Sequence, residues 1–185
     1  ICKRYKGNQA HAEYLEQMAG KFFDLLQKYH GLGERERLLL RLAAILHDCG
    51  KFISMSAPGE CAYQIIMSTE ILGISHMERE MVASIVRYNT MELPNFREFD
   101  GKLGNDEYLI VMKLAAILRV CNALDRSHRQ KFADMKLTIK DSNIVITTAY
   151  PDNITLEKKT LQDKQDFFEE VYGLGFEIKQ KKKKQ

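Results

Sequence analysis

Apolar residues in the first 130 positions recur at helical spacing and divide that stretch into five predicted helices. His11, Tyr14, Leu15, Met18, Phe22, Leu25, Leu26 and Tyr29 form one stripe over residues 8–30, which the Gly-Leu-Gly run at 31–33 stops. A second helix starts near Glu34, carries LLLRLAAIL and ends in His47-Asp48-Cys49-Gly50, with the glycine as its exit. Pro58 suits the first turn of a third helix, running through Ile65, Ile66 and Ile71 to Gly73. Ser75 with Glu78 three residues on predicts a capping box, opening a fourth helix that ends near Tyr88. The polar segment MELPNFREFDGKLGN follows, the one loop long enough to act as a lid. Asn105 or Asp106 then caps a fifth helix, DEYLIVMKLAAILRVCNALDRSH.

Beyond Phe132 the period changes. MKLTIKD and NIVITTAY alternate apolar and polar residues, and Asp141-Ser142-Asn143 makes a hairpin turn between them. A helix over roughly 157–172 and a short strand, FEIK, close the chain. The expected fold is mainly α: a helical bundle over 1–132 and a small α+β unit (hairpin, helix, short strand) over 133–179. A disordered lysine tail is expected over 180–185.

Composition changes this picture little. An apolar share of 45% and a charged share of 29% are ordinary for a globular domain. No apolar run is long enough to span a membrane, and no signal peptide opens the chain. The start, without Met, suggests a piece of a longer protein. The net charge of +3 comes from the end: setting aside Lys179 and Lys181 to Lys184 leaves 23 basic against 25 acidic residues. A nucleic-acid surface would spread its basic residues over a helix or sheet face, so nucleic acid is not the expected partner. Cys2, Cys49, Cys61 and Cys121 show no paired spacing and read as reduced thiols of a cytoplasmic protein.

His47-Asp48 is the most informative pair. An acid at the C-terminal end of a helix opposes the local dipole, which suggests a compensating cation. Neighbouring helical positions differ by ~100°, so both side chains reach one ion only at the helix end. His11 lies on the apolar face of the first helix, and Asp125 on the fifth, whose buried side reads Leu118, Cys121, Leu124. Taken singly, His11 reads as a hydrogen-bonded core histidine and Asp125 as a cap for the segment after it. Together, two imidazoles and two carboxylates make a borderline-hard site that leaves coordination positions open.

The order His … His-Asp … Asp on a helical bundle resembles the HD superfamily of metal-dependent phosphohydrolases. More narrowly, HAEYLEQMA, RLAAILHDCGKFI, LGISHMEREMVASIVRYN and LAAILRVCNALDRSH look like the C-terminal region of the exopolyphosphatase/guanosine pentaphosphate phosphatase (Ppx/GppA) family, and LEKKTLQDKQDFFEEVYG resembles its ending. The resemblance implies an HD-domain helical bundle with His11, His47, Asp48 and Asp125 as ligands of a divalent metal ion (Mn, Mg, Zn, Fe or Ni). It makes Asp48 and Lys51 the catalytic candidates. Lys51, Arg87 and Arg126 are the phosphate contacts, although a surface ion pair is the plainer reading of the two arginines. Family members commonly carry histidines where this chain has Gly59-Glu60-Cys61 and Asn89, which suggests a one-metal site or one that binds without turnover. The implied partners are polyphosphate or a phosphorylated nucleotide, and ATPase-type domains that precede this region in the parent. The expected function is that of a C-terminal HD-type domain of an exopolyphosphatase-like hydrolase, the fragment alone being weak or inactive. The alternative is a non-catalytic polyanion-binding or dimerisation module, as a homodimer.

Overall fold

The computed structural model describes residues 8–99 and 103–181. Cys2, the 100–102 stretch of the expected lid loop and positions 182–185 of the lysine tail lie outside the described residues. The bundle consists of α1 (Gln9–Leu25), α2 (Gln27–His30), α3 (Glu34–Leu46), a 3-10 turn (Cys49–Phe52), α4 (Pro58–Met67), α5 (His76–Thr90) and α6 (Asn105–Leu124). It is followed by β1 (Lys136–Lys140), β2 (Asn143–Thr148), α7 (Thr155–Tyr172) and β3 (Gly175–Gln180). The chain is thus mainly α with a small three-stranded sheet, and among the described residues no strand precedes Lys136. Among the described residues no helix is long and apolar enough to cross a membrane.

α6 is the axis of the bundle. Every residue from Leu114 to Cys121 is buried, because α1, α3, α5 and α7 all pack on it. A helix apolar on all sides belongs in such a place. Its charged exception is Arg119, which donates from Nε to the Tyr88 carbonyl at 2.6 Å and from Nη2 to the Met91 carbonyl. These carbonyls end α5, so a buried guanidinium satisfies the open end of a neighbouring helix. The Phe167 ring of α7 covers it, 4.3 Å from the guanidinium carbon.

Three local expectations are corrected. Residues 8–30 are not one helix: the ladder breaks at Leu26, whose N–H is shared between the Phe22 and Phe23 carbonyls. The buried His30 ring donates from Nε2 to the same Phe23 carbonyl at 2.9 Å, and Gly31 then leaves the helix at φ 65°. Gly50 is no left-handed exit, since it lies inside the 3-10 turn. Its requirement is spatial: a Cβ there would sit 1.9 Å from the Pro58 carbonyl oxygen at the start of α4. The third expected helix also stops at Met67, short of Ile71.

The Ser75–Glu78 capping box forms as the spacing predicts. So does the hairpin: β1 and β2 pair antiparallel with Lys140 opposite Asn143, and Asp141 and Ser142 turn at φ 48° and 58°. Positive φ at both central residues gives a turn whose twist matches the strands. β3 pairs parallel to β2, with α7 as the crossover. One buried apolar cluster runs from Tyr14 to Leu174, so α7 and the sheet share the core of the bundle.

A buried ion pair fastens α7 to the segment after α6. Glu157 is fully buried and takes Ser127 Oγ at 2.5 Å and Lys131 Nζ at 2.9 Å, while Lys131 also donates to the Asn153 carbonyl at 2.8 Å. Burial alone would raise the Glu157 carboxyl, but the Ser127 and Lys131 hydrogen bonds hold it below its ordinary value. A depressed carboxyl stabilises the fold above its unfolded pKa of 4.5, and that contribution fades as pH falls through the folded value. Lys131→Met should therefore lose about 3 kcal/mol at pH 7, by leaving Glu157 charged and unpaired. Urea denaturation at pH 7 and pH 3.5 should show a much smaller loss at the lower pH. An equal loss at both would mean that packing, not charge, holds this corner.

Candidate functional site

Three chain segments meet at one point: the first turn of α1, the exit of α3 and the exit of α6. Asn8 caps α1 by accepting from the His11 N–H at 3.1 Å, which sets His11 in the opening turn. α3 ends at Leu46 with His47 as its cap, and the 3-10 turn begins directly after Asp48. That abrupt exit lets adjacent residues converge, with His47 Nε2 3.1 Å from Asp48 Oδ1. Asp125 is not within α6 but is its cap residue, at φ −117° and ψ 34°, and is fully buried.

The hydrogen bonds fix both imidazole tautomers. His47 Nδ1 lies 2.7 Å from the Ala44 carbonyl, which only accepts, so Nδ1 carries the proton. His11 Nδ1 lies 2.7 Å from Asp125 Oδ2 and donates to it for the same reason. The two Nε2 atoms, each bearing a lone pair when its ring is neutral, face each other at 3.2 Å. Lone pairs so placed repel unless positive charge lies between them. Two nitrogens bound to one ion at roughly 2.1 Å would stand about 3 Å apart. The pair thus fits a shared cation, each ring oriented from behind by a carbonyl or carboxylate.

Asp48 joins His11 from a third direction. Burial would raise its carboxyl, but hydrogen bonding and charge from the His47 ring when it carries positive charge, then from Lys51, hold it well below the usual carboxylate range. Lys51 Nζ sits 2.7 Å from Asp48 Oδ1. The structure adds a residue that the sequence reading passed over. His128 stacks on the His11 ring, centroids 3.8 Å apart and planes 13° apart. Possible ligand atoms of His11, Asp48 and His128 all lie within 4.8 Å of one another. Burial, and then the neighbouring His11, push the His128 pKa down, which favours the neutral ring a metal needs. The available signal was the three-residue step from Asp125 to His128. A helix running on through His128 was expected, whereas the chain leaves α6 at Leu124 and turns His128 to φ 55°.

The expected residues therefore divide. His11, His47, Asp48 and Lys51 come together. Asp125 stands behind His11, with one oxygen on His11 Nδ1 and the other accepting from the Gln130 N–H at 2.8 Å. Arg87 is held elsewhere, in an ion pair with Glu60 at 2.8 Å and flanked by the Tyr63 and Tyr88 rings. Arg126 is exposed beside a different cavity, between α5, α6 and α7. Of the positions where histidines were missed, Glu60 is taken by Arg87, Cys61 is half-buried, and Asn89 is buried. A cavity of about 700 Å³, lined among others by Glu92, Tyr108 and Phe167, includes none of the His11, His47, Asp48 or Asp125 side chains.

The Asn8 cap is the cheapest part of this arrangement to test. Asn8→Ala should lower stability by about 1 kcal/mol, and Asn8→Asp should retain it, as read by thermal unfolding. Equal stability of all three proteins would show that the first turn of α1 is held by other contacts.

With this geometry in hand, a family model described as Ppx/GppA phosphatase, domain III, matches residues 1–166. No curated protein matches the chain.

Proposed function

The chain belongs to the Ppx/GppA phosphatase family, whose domain III it carries, and from that premise we propose that it binds one divalent metal ion together with a phosphorylated ligand. The supporting observation is the pair of imidazoles whose Nδ1 atoms are both committed and whose Nε2 atoms face each other at 3.2 Å. His11, His47, Asp48 and His128 are the proposed ligands, and Asp125 is the group that aims His11. When bound, such an ion supplies Lewis acidity toward a phosphoryl oxygen.

The surrounding residues do the rest. Lys51, one-third exposed, presents its ammonium beside Asp48 and offers charge to a phosphate arriving from solvent. Asp48 is held so far into its ionised form that it serves as ligand and orienting acceptor rather than as a general base, which needs a pKa nearer the working pH. The ligand class is polyphosphate or a phosphorylated nucleotide, acted on within an exopolyphosphatase-like parent whose ATPase-type domains precede this region. A second reading, a module that binds polyanions without hydrolysing them, draws on Glu60 and Asn89, which stand where family members commonly have histidines.

Elemental analysis of protein purified without chelator tests the metal. About one equivalent of a divalent ion is expected. Readdition at 100 times its dissociation constant should stabilise the fold by about 2.7 kcal/mol, and His47→Ala should abolish that gain. Absence of metal, with no stabilisation by Mn, Mg, Zn, Fe or Ni, would refute the site. A manganese-supplemented phosphoester assay on the same protein then separates hydrolysis from binding.

A further inference from the structure

Asn89 is 3% exposed, and neither its amide nitrogen nor its amide oxygen has a hydrogen-bond partner. Burying an amide without partners is costly, so two idle polar atoms on one side chain call for a ligand that both accepts and donates. Asn89 lies in the wall of a cavity of about 360 Å³ enclosed by the end of α5, the end of α6 and the middle of α7. Arg119, Arg126 and Lys164 line the same cavity, against a single acid, Asp163. The Arg119 guanidinium donates to two carbonyls, feels the charge of Glu92 and makes no ion pair within 4.0 Å among the described residues. Arg126 and Lys164 make no ion pair or side-chain hydrogen bond among the described residues.

We propose that this cavity binds inorganic phosphate. The three cations select an anion, and the Asn89 amide selects among anions. Orthophosphate near neutral pH always carries at least one P–OH, which can donate to Asn89 Oδ1, along with charged oxygens that accept from Nδ2 and the cations. Sulfate is of similar size but only accepts, so it would leave the Asn89 oxygen without a partner. A phosphomonoester above its second pKa of about 6 has the same defect. Arg126 is exposed and Lys164 half-buried, so their long side chains can swing aside to admit the ion to the amide beneath. The site is separate from the proposed cation cluster: its lining includes none of His11, His47, Asp48 or His128, and it needs no metal.

Calorimetric titration of the chelator-treated protein at pH 7.5 tests the proposal, using orthophosphate, sulfate and phenyl phosphate as probes. Chelation removes any contribution of the cation site, so failure here and failure of the metal reading are told apart. Orthophosphate should bind at least about tenfold more tightly than either competitor, the penalty for an unsatisfied buried acceptor. Asn89→Leu, which removes a buried polar group and should fold at least as well, should erase that preference. Arg126→Ala with Lys164→Ala should weaken binding and its salt dependence, while the exposed Lys140→Ala should change neither. Equal affinity for the three anions would overturn the role of Asn89. No measurable orthophosphate binding would overturn the site and assign the amide to water alone.

Discussion

A carboxylate with no access to solvent must find its partners inside the protein, and the fully buried Asp125 at the end of α6 imposes that demand on everything around it. α6 is buried on every side from Leu114 to Cys121, and Asp125 stands one turn beyond that stretch. At the exit, the backbone of Gln130 and the ring of His11 supply the two donors Asp125 needs. Meeting the first demand fixes the His11 tautomer, which turns its free nitrogen toward His47. His47 is held in turn by the Ala44 carbonyl, within the last turn of its own helix. The geometry of the cluster thus follows from one burial decision, made where the central helix stops.

The same logic recurs elsewhere in the core with the charges exchanged. Arg119 is buried against the carbonyl end of α5, and Glu157 against Lys131 and Ser127. Each of these groups has its needs met by protein. The cluster at His11 and His47 differs, because its hydrogen bonds leave two Nε2 atoms and the Asp48 carboxylate converging. Arg119 and Glu157 are closed systems. The cluster is open by one positive charge.

Much of this was readable in the sequence, since the signals were local. The Ser75–Glu78 box, Pro58 at a first turn and the Asp141–Ser142 hairpin depend on residues a few positions apart, and their chemistry permits few alternatives. The convergence of His11, His47 and Asp48 was readable from their order on successive helices. What escaped depended on backbone angles or on distant neighbours. A histidine at φ 55° cannot be anticipated from spacing, so His128 was missed. Gly50 was read as a helix exit because the approach of Pro58 is invisible in one dimension. An ion pair was the plainer reading of Arg87, but nothing local announced that its partner would be Glu60, 27 positions away.

The strand order β1-β2-β3 leaves two outer edges with no further strand beside them among the described residues. Such edges offer unpaired backbone groups to any other extended chain and are where uncontrolled association begins. Lysines stand along both: Lys136 and Lys140 on β1, Lys179 on β3, with Lys181 directly after it. All four are exposed. A second copy aligning its own edge would have to bring these ammonium groups together and strip their water. The basic bias at the end of the chain, uninformative about ligands, thereby acquires a mechanical meaning: it keeps a small sheet from growing.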